Sequence, residues 1–278
     1  MPDHVRNIIV GLAEPLGPGT ATAHDLMENV GRAEAVIASS LTVYDGSVMD
    51  RAPRLRVIAR TGIGYDKIDL DAATERGVAV CNTPDAPTIS TAEHTIALLL
   101  AVAKRIPAAQ AALSEGGRDF FATHQGLELA GRRLGLVGMG RIGSAVARMA
   151  TGLGMSVVVY DPFVDPIALS GSGERLFDSL EQLLADADIV SLHAPLTNET
   201  IRLIDAERIG QMKPGSILIN TARGGLVDHV ALLDALERGH LFGAGLDATD
   251  PEPLPRDHPL LHRHDVVVTP HVAAATGA

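Results

Sequence analysis

The chain has 278 residues, enough for two domains of ordinary size, and its 46% hydrophobic and 21% charged residues fit a soluble globular protein with a large core. A net charge of −11 argues against the clustered Lys and Arg of a nucleic-acid or anionic-membrane binder. The single cysteine, Cys81, excludes an internal disulfide, and with no basic-then-apolar leader and no apolar run of about 18 residues a cytoplasmic protein is expected.

Aromatic residues make up only 3% and Trp is absent, so Ala, Val, Leu and Ile must fill the interior. Residues 5–10 and 35–38 read as short strands, with a helix near 21–30 between them and Gly17-Pro18-Gly19 as the connection. A third strand over 55–60 runs into the turn Thr61-Gly62-Ile63-Gly64. Asp69 caps a helix over 70–76, Gly77 ends it, and 78–81 is a further strand on which Cys81 is expected to be a buried structural thiol. This β-α alternation implies a small parallel sheet, whose ligands bind beyond the carboxyl ends of the strands. Gly62-Ile63-Gly64 there is either an anion nest of backbone N–H groups or a plain tight turn.

Asn82-Thr83-Pro84 and Pro87 interrupt the pattern and mark an interdomain crossing. A long apolar helix follows over 90–105, with Ile96, Leu99, Leu100 and Ala103 on its inner side until Pro107 ends or kinks it. A helix this apolar between two domains is expected to be buried, with a second subunit as one candidate for what covers it.

The centre of the chain is the run from Arg133 to Leu153. Leu134, Leu136 and Val137 form a strand, Gly138-Met139-Gly140-Arg141-Ile142-Gly143 a turn, and Ile142, Val146, Met149 and Leu153 one side of a helix. Gly138 allows the tight turn, Gly140 lets the backbone approach a pyrophosphate, and Gly143 lets helix and strand pack closely. The helix start then offers free N–H groups to the anion. Asp161 closes the next strand, 157–160, where a carboxylate accepts the ribose hydroxyls and repels a 2′-phosphate. The cofactor expected is NAD. A Pro-, Gly- and Ser-rich loop over 162–173 precedes helices at 180–185, 206–212 and 230–238, and strands at 189–192, 217–220, 243–246 and 266–269. Six strands in all would complete a doubly wound dinucleotide domain.

The later strands end in His193-Ala194-Pro195, Thr221-Ala222-Arg223, Asp247 and Pro270-His271, with Asp250-Pro251-Glu252-Pro253 before the last. An Arg, a Glu and a His at the mouth of an NAD site suit hydride transfer to a 2-keto acid. Arg offers a forked donor to carboxylate and carbonyl, His delivers a proton, and Glu orients the ring. The same residues also read as a surface Arg and a rigid Asp-Pro-Glu-Pro turn. His94, inside the long helix, reads as structural; His258, His262 and His264 read as loop residues, with no metal expected.

At these residues the chain resembles the NAD-dependent D-2-hydroxyacid dehydrogenases, nearest their phosphoglycerate dehydrogenase branch. The resemblance runs from about Leu55 to Ala278 on R-T-G-I-G-Y-D-K-I-D, T-A-E-H-T, G-M-G-R-I-G, Y-D-P, H-A-P-L-T, N-T-A-R-G-G-L-V-D, G-L-D-A-T-D-P-E-P-L and T-P-H-V-A-A-A-T. It implies a doubly wound Rossmann NAD domain over 89–278 and a smaller flavodoxin-like substrate domain over 1–88, shortened at its start. It further implies that Arg223, Glu252 and His271 are catalytic. Thr91, Gly138, Gly140, Arg141, Ile142, Gly143, Asp161, Pro162, His193, Ala194, Pro195, Thr221, Ala222, Asp247 and Ala273 would bind NAD, Asp247 at the carboxamide. Arg60, Gly62, Ile63 and Gly64 would bind a small 2-hydroxy or 2-keto acid, in a homodimer.

Three departures qualify the resemblance. The stretch before Ala35 is short for the family, and members carry another helix beyond the Pro-His motif, where this chain ends. Arg60 matches a phosphate-contacting arginine of the phosphoglycerate branch, but Ser39 stands where a second would be, and Ile63 replaces a Thr, which weakens the case for 3-phosphoglycerate. Phosphite or formate oxidation is the rival within the family. From another class comes an NAD-responsive, corepressor-like binding protein.

Overall fold

The computed structural model describes residues 3–16, 30–39, 42–119, 124–169 and 173–276. The chain divides into two compact units, Met1–Ala86 and Pro87–Ala278. The helix expected near 21–30 and the Gly17-Pro18-Gly19 connection lie outside the described residues, except that Val30 opens a short 3-10 turn.

In the first unit, β1 (Ala35–Ala38), β2 (Val57–Arg60) and β3 (Ala79–Asn82) form a parallel sheet in that order. Val36, Ala38 and Ile58 alternate into a core with Tyr44, Met49, Leu55 and Ile68. Helices α2 (Gly46–Asp50) and α3 (Leu70–Glu75) begin at Asp45 and Asp69, whose carboxylates accept the N–H of Val48 at 3.0 Å and of Ala72 at 2.9 Å. Gly77, at φ 64°, closes α3 as expected of a glycine there.

Two expectations fail in this unit. The stretch expected as a strand at 5–10 is helix α1, Asp3–Val10. Val5, Ile8 and Ile9 are spaced three and four apart, which suits a helix as well as a strand, and short apolar runs do not distinguish the two. A strand also needs a neighbour to complete its hydrogen bonds, and among the described residues β1 pairs only with β2. Cys81 is exposed rather than buried, because β3 is an edge strand with three of its four residues open to solvent.

The second unit is built on a seven-stranded, wholly parallel sheet. Its strands in chain order are β4 (Arg133–Val137), β5 (Ser156–Tyr160), β6 (Arg175–Leu176), β7 (Ile189–Leu192), β8 (Ser216–Asn220), β9 (Leu241–Leu246) and β10 (Val266–Val268). In space the order is β10-β9-β8-β7-β4-β5-β6, so the direction of winding reverses between β4 and β7. The count exceeds the six expected by β6, a two-residue edge strand too short to leave a hydrophobic pattern.

Successive residues of the central strands face opposite sides, and both sides are covered. Leu134, Leu136, Val157 and Val159 pack with α4 (Thr88–Ala103) and α6 (Arg141–Gly152). Val137, Val158, Val190 and Leu218 pack on the other side with α7 (Leu180–Asp186), α8 (Ala206–Gln211) and α9 (His229–Glu237). Each such aliphatic side chain, fully buried, is worth about 1.5–3 kcal/mol.

Helix α4 buries Ala92, Thr95, Leu98, Leu99, Val102 and Ala103, so its inner face is rotated from the one expected; Ile96 and Leu100 are only half-buried. A helix apolar on most sides does not declare which stripe faces the sheet. It stops at Ala103, and after Arg105, at φ 51°, helix α5 (Ile106–Ser114) departs at 53° with Pro107 in its first turn. No single helix among the described residues is long and apolar enough to cross a membrane.

Candidate active site

The glycine turn lies where the winding reverses. Strand β4 ends at Val137, and Gly138 follows at φ 100°. A Cβ there would stand 2.8 Å from the carbonyl carbon and oxygen of His193, the residue after β7, so an L side chain is excluded by both conformation and space. Gly143, in the first turn of α6, presses on the carbonyl of Gly138 and admits no Cβ either. Gly140 differs from both. Nothing lies within 4 Å of a Cβ built on it, and no side chain caps the helix start that follows. The fold therefore requires Gly138 and Gly143, while Gly140 keeps space open before a row of helix N–H groups, which fits a pyrophosphate. At the end of β5, Asp161 accepts the N–H of Met139 at 2.8 Å and of Phe163 at 2.9 Å. These bonds lock the carboxylate beside the turn and leave it lone pairs for ribose hydroxyls.

Strands β8, β9 and β10 are neighbours and run the same way, so their carboxyl ends share one edge. Arg223, Glu252 and His271 follow these three ends in turn. His271 Nδ1 lies 2.6 Å from Glu252 Oε1. An ionised carboxylate only accepts, so Nδ1 carries the proton of this bond and Nε2 is left for exchange. Arg223 sits in extended backbone, with Nη1 donating to the carbonyl of Ala222 at 2.7 Å. Its loop is tied by buried Asn220, whose amide donates to the Arg223 carbonyl at 2.8 Å and accepts the Ala222 N–H at 3.0 Å. Gly224 presses so closely on Thr249 and Asp250 that any Cβ would clash, which docks the Arg223 loop on the loop carrying Glu252.

Asp247, almost fully buried, organises the end of β10. Oδ1 accepts from Thr269 Oγ1 at 2.6 Å and Val272 N at 2.9 Å, and Oδ2 accepts from Ala273 N at 2.9 Å. Most of its capacity thus serves the loop, although Oδ2, with one bond, keeps a lone pair for a carboxamide. Ala194, Pro195, Pro162, Thr221 and Ala222 follow strand ends on the same edge, and Thr91 lies buried in the first turns of α4. Asn220 and Thr269 escape sequence reading, although both stand in motifs, N-T-A-R and T-P-H, that point to their neighbours Thr221, Ala222, Arg223 and His271. His94, expected to be structural, has Nε2 2.9 Å from Thr269 Oγ1.

His193, expected to line the cofactor site, is half-buried, with its backbone carbonyl against Gly138 and Nε2 2.9 Å from Ser191 Oγ. Burial lowers its pKa from the ordinary 6.5 to about 4. The unfolded chain therefore binds this proton first, and the stability held by the neutral ring is lost as the pH falls from about 6.5 towards 4.

The turn after β2 belongs to the first unit and stands by itself. Gly62 is at φ 141°, its N–H donating to Thr83 Oγ1 at 2.8 Å, while Asn82 holds the Ile63 carbonyl at 2.9 Å. The N–H groups of Ile63 and Gly64 make no hydrogen bond among the described residues. Arg60, expected to meet substrate phosphate, is buried and bonds the carbonyls of Thr61 and, at 2.9 Å, of Gly64, so it also braces the turn.

Two family descriptions match the chain: D-isomer specific 2-hydroxyacid dehydrogenase, NAD binding domain, over residues 96–273, and the catalytic domain of the same family over 14–133. The chain is 44% identical to D-3-phosphoglycerate dehydrogenase of Mycobacterium tuberculosis, covering 96% of this chain and 53% of that one. With glyoxylate reductase of Korarchaeum cryptofilum the identity is 43%, covering 90% and 76%. A crystal structure of a Thermus thermophilus protein superposes with a TM-score of 0.88 at 47% identity, covering 99% of this chain and 86% of that one. The chain spans about half the length of the curated phosphoglycerate relatives it matches.

Gly140→Ala is expected to keep stability within about 1 kcal/mol of wild type yet weaken NADH by about tenfold or more in a fluorescence titration. Gly143→Ala is expected to lower the unfolding midpoint in urea; equal stability losses at both positions would contradict this division of labour. In NMR titrations the His193 ring, assigned by its loss in His193→Gln, is expected to stay neutral between about pH 7 and pH 5. A midpoint near 6.5 would show it exposed.

Proposed function

The chain belongs to the D-isomer specific 2-hydroxyacid dehydrogenase family, and from that premise we propose that it interconverts a small D-2-hydroxy acid and its 2-keto acid with NAD. The observation that carries the reading is the 2.6 Å bond between His271 Nδ1 and Glu252 Oε1 on the edge where the glycine turn also lies. NAD, when bound, supplies or accepts the hydride. Gly140, the N–H groups opening α6 and Asp161 would hold it, Asp161 favouring it over a 2′-phosphorylated form. His271 Nε2 takes the hydroxyl proton in oxidation and returns it in reduction, Glu252 keeping Nδ1 occupied and the ring in one orientation. Arg223, with its fixed positive charge, polarises the carbonyl oxygen. In the first unit, the N–H groups of Ile63 and Gly64 would take the substrate carboxylate.

The substrate is one of the short acids represented among the relatives, 3-phosphohydroxypyruvate and glyoxylate being the two to test first. We further propose a cytoplasmic homodimer. Helix α5, Ile-Pro-Ala-Ala-Gln-Ala-Ala-Leu-Ser, has no buried residue, and Ile106 and Leu113 are more than half exposed. Light scattering at micromolar concentration is expected to give twice the chain mass, and a monomer would remove the inference.

His271→Ala is expected to cut kcat by about 10²–10⁴ while leaving NADH affinity near wild type. Steady-state NADH oxidation with 3-phosphohydroxypyruvate, hydroxypyruvate, glyoxylate and pyruvate would identify the substrate. A flat response across the four, with NADH bound normally, would instead favour an NAD-responsive binding protein.

A further inference from the structure

His271 is one of three non-glycine residues among the described ones with positive φ, at 55°. Such a conformation is unfavourable for a residue with a Cβ and persists only where its surroundings impose it. Its N–H is accepted by the Asp247 carbonyl at 2.8 Å and the Thr269 carbonyl at 3.0 Å. The next two N–H groups, of Val272 and Ala273, close on the Asp247 carboxylate, so the loop wraps a single buried anion.

Thr269 begins that loop, and its hydroxyl proton goes to Asp247 Oδ1 at 2.6 Å, since the carboxylate can only accept. A hydroxyl has one proton. At the 2.9 Å contact with His94 Nε2, therefore, Thr269 Oγ1 accepts and His94 donates, which sets the tautomer with hydrogen on Nε2. The same nitrogen is 3.4 Å from Asp247 Oδ1. His94 stands on α4, a helix packed against β8, β9 and β10. The next residue, Thr95, meets Thr221 Oγ1 at 2.8 Å at the start of the Arg223 loop. Two successive side chains of one core helix thus tie down the loops that carry Arg223 and His271.

We propose that His94 is a positioning residue for His271, acting through Thr269 and Asp247 to hold the loop in the one backbone conformation that brings the His271 ring to Glu252. The inference rests on the reading of His271 as the proton carrier, and deepens it.

The test uses the full chain with His94→Ala, His94→Gln, Thr269→Val and the double variant His94→Ala/Thr269→Val. With the best keto acid of the panel, His94→Ala is expected to lower kcat by about tenfold, with KM and NADH affinity changed by less than about threefold, because small displacements of a reacting group act on turnover. His94→Gln, whose amide can donate to Thr269, is expected to regain most of that loss. The double variant should be no slower than Thr269→Val alone, as for two groups acting through one contact. Amide exchange of Val272 and Ala273 should quicken in His94→Ala and return in His94→Gln, while the amides of β7 and β8 stay unchanged. Wild-type turnover and wild-type loop protection in His94→Ala would overturn the proposal, as would His94→Gln performing no better than His94→Ala. If His94→Ala unfolds, the near-isosteric Thr269→Val carries the same comparison. If wild type reduces none of the acids, the catalytic reading falls, and the exchange measurement alone then decides whether His94 holds the loop.

Discussion

In a sheet whose strands all run one way, every carboxyl end lies on a single edge, and this constraint shapes the second unit. β8, β9 and β10 are adjacent and parallel, so three loops far apart in sequence begin side by side. Arg223, Glu252 and His271 each follow one of these ends, and Glu252 and His271, 19 positions apart in sequence, are joined by a single bond across it. β4 and β7, on the same edge, place the glycine turn against His193 at the point where the winding reverses. In sheets of this kind the crevice at that point is where a ligand fits.

Parallel ends bring loops near one another; buried polar groups determine how they fold. A carboxylate removed from water must find donors. Asp247 finds them in Thr269, Val272 and Ala273, and the shape of the loop bearing His271 follows from that requirement. Asn220 acts in the same way on the Arg223 loop, with both ends of its amide spent within its own turn. The polar interior at this edge therefore holds the loops bearing Arg223 and His271 in place, while the aliphatic layers on either face of the sheet supply the stability that sustains it.

The three glycines of the turn show how one motif serves two demands. Gly138 and Gly143 answer to the fold, since carbonyls of their own unit occupy the space a side chain would need. Gly140 answers to the ligand, because its space is empty in the protein alone. That separation ties local structure directly to binding, and it follows the division of roles that the spacing of the three glycines implied.

Much of this was legible in the sequence. Alternating apolar strands and helices from Arg133 onward, with polar residues after each strand, announced a parallel sheet and the edge those polar residues share; period and turn chemistry are local properties that residues carry with them. The same holds for the caps at Asp69 and Gly77. Only the tertiary structure settled the rest. Residues 5–10 form a helix, which their apolar spacing allows as readily as a strand, Cys81 is exposed because β3 is an edge, and α4 turns its face to a sheet whose position an all-round apolar helix does not encode. Burial, strand neighbours and the direction of a shared proton are relations between distant residues. They come into being when the chain folds, and that is why Asp247, Thr269 and His94 disclosed their common task only in three dimensions.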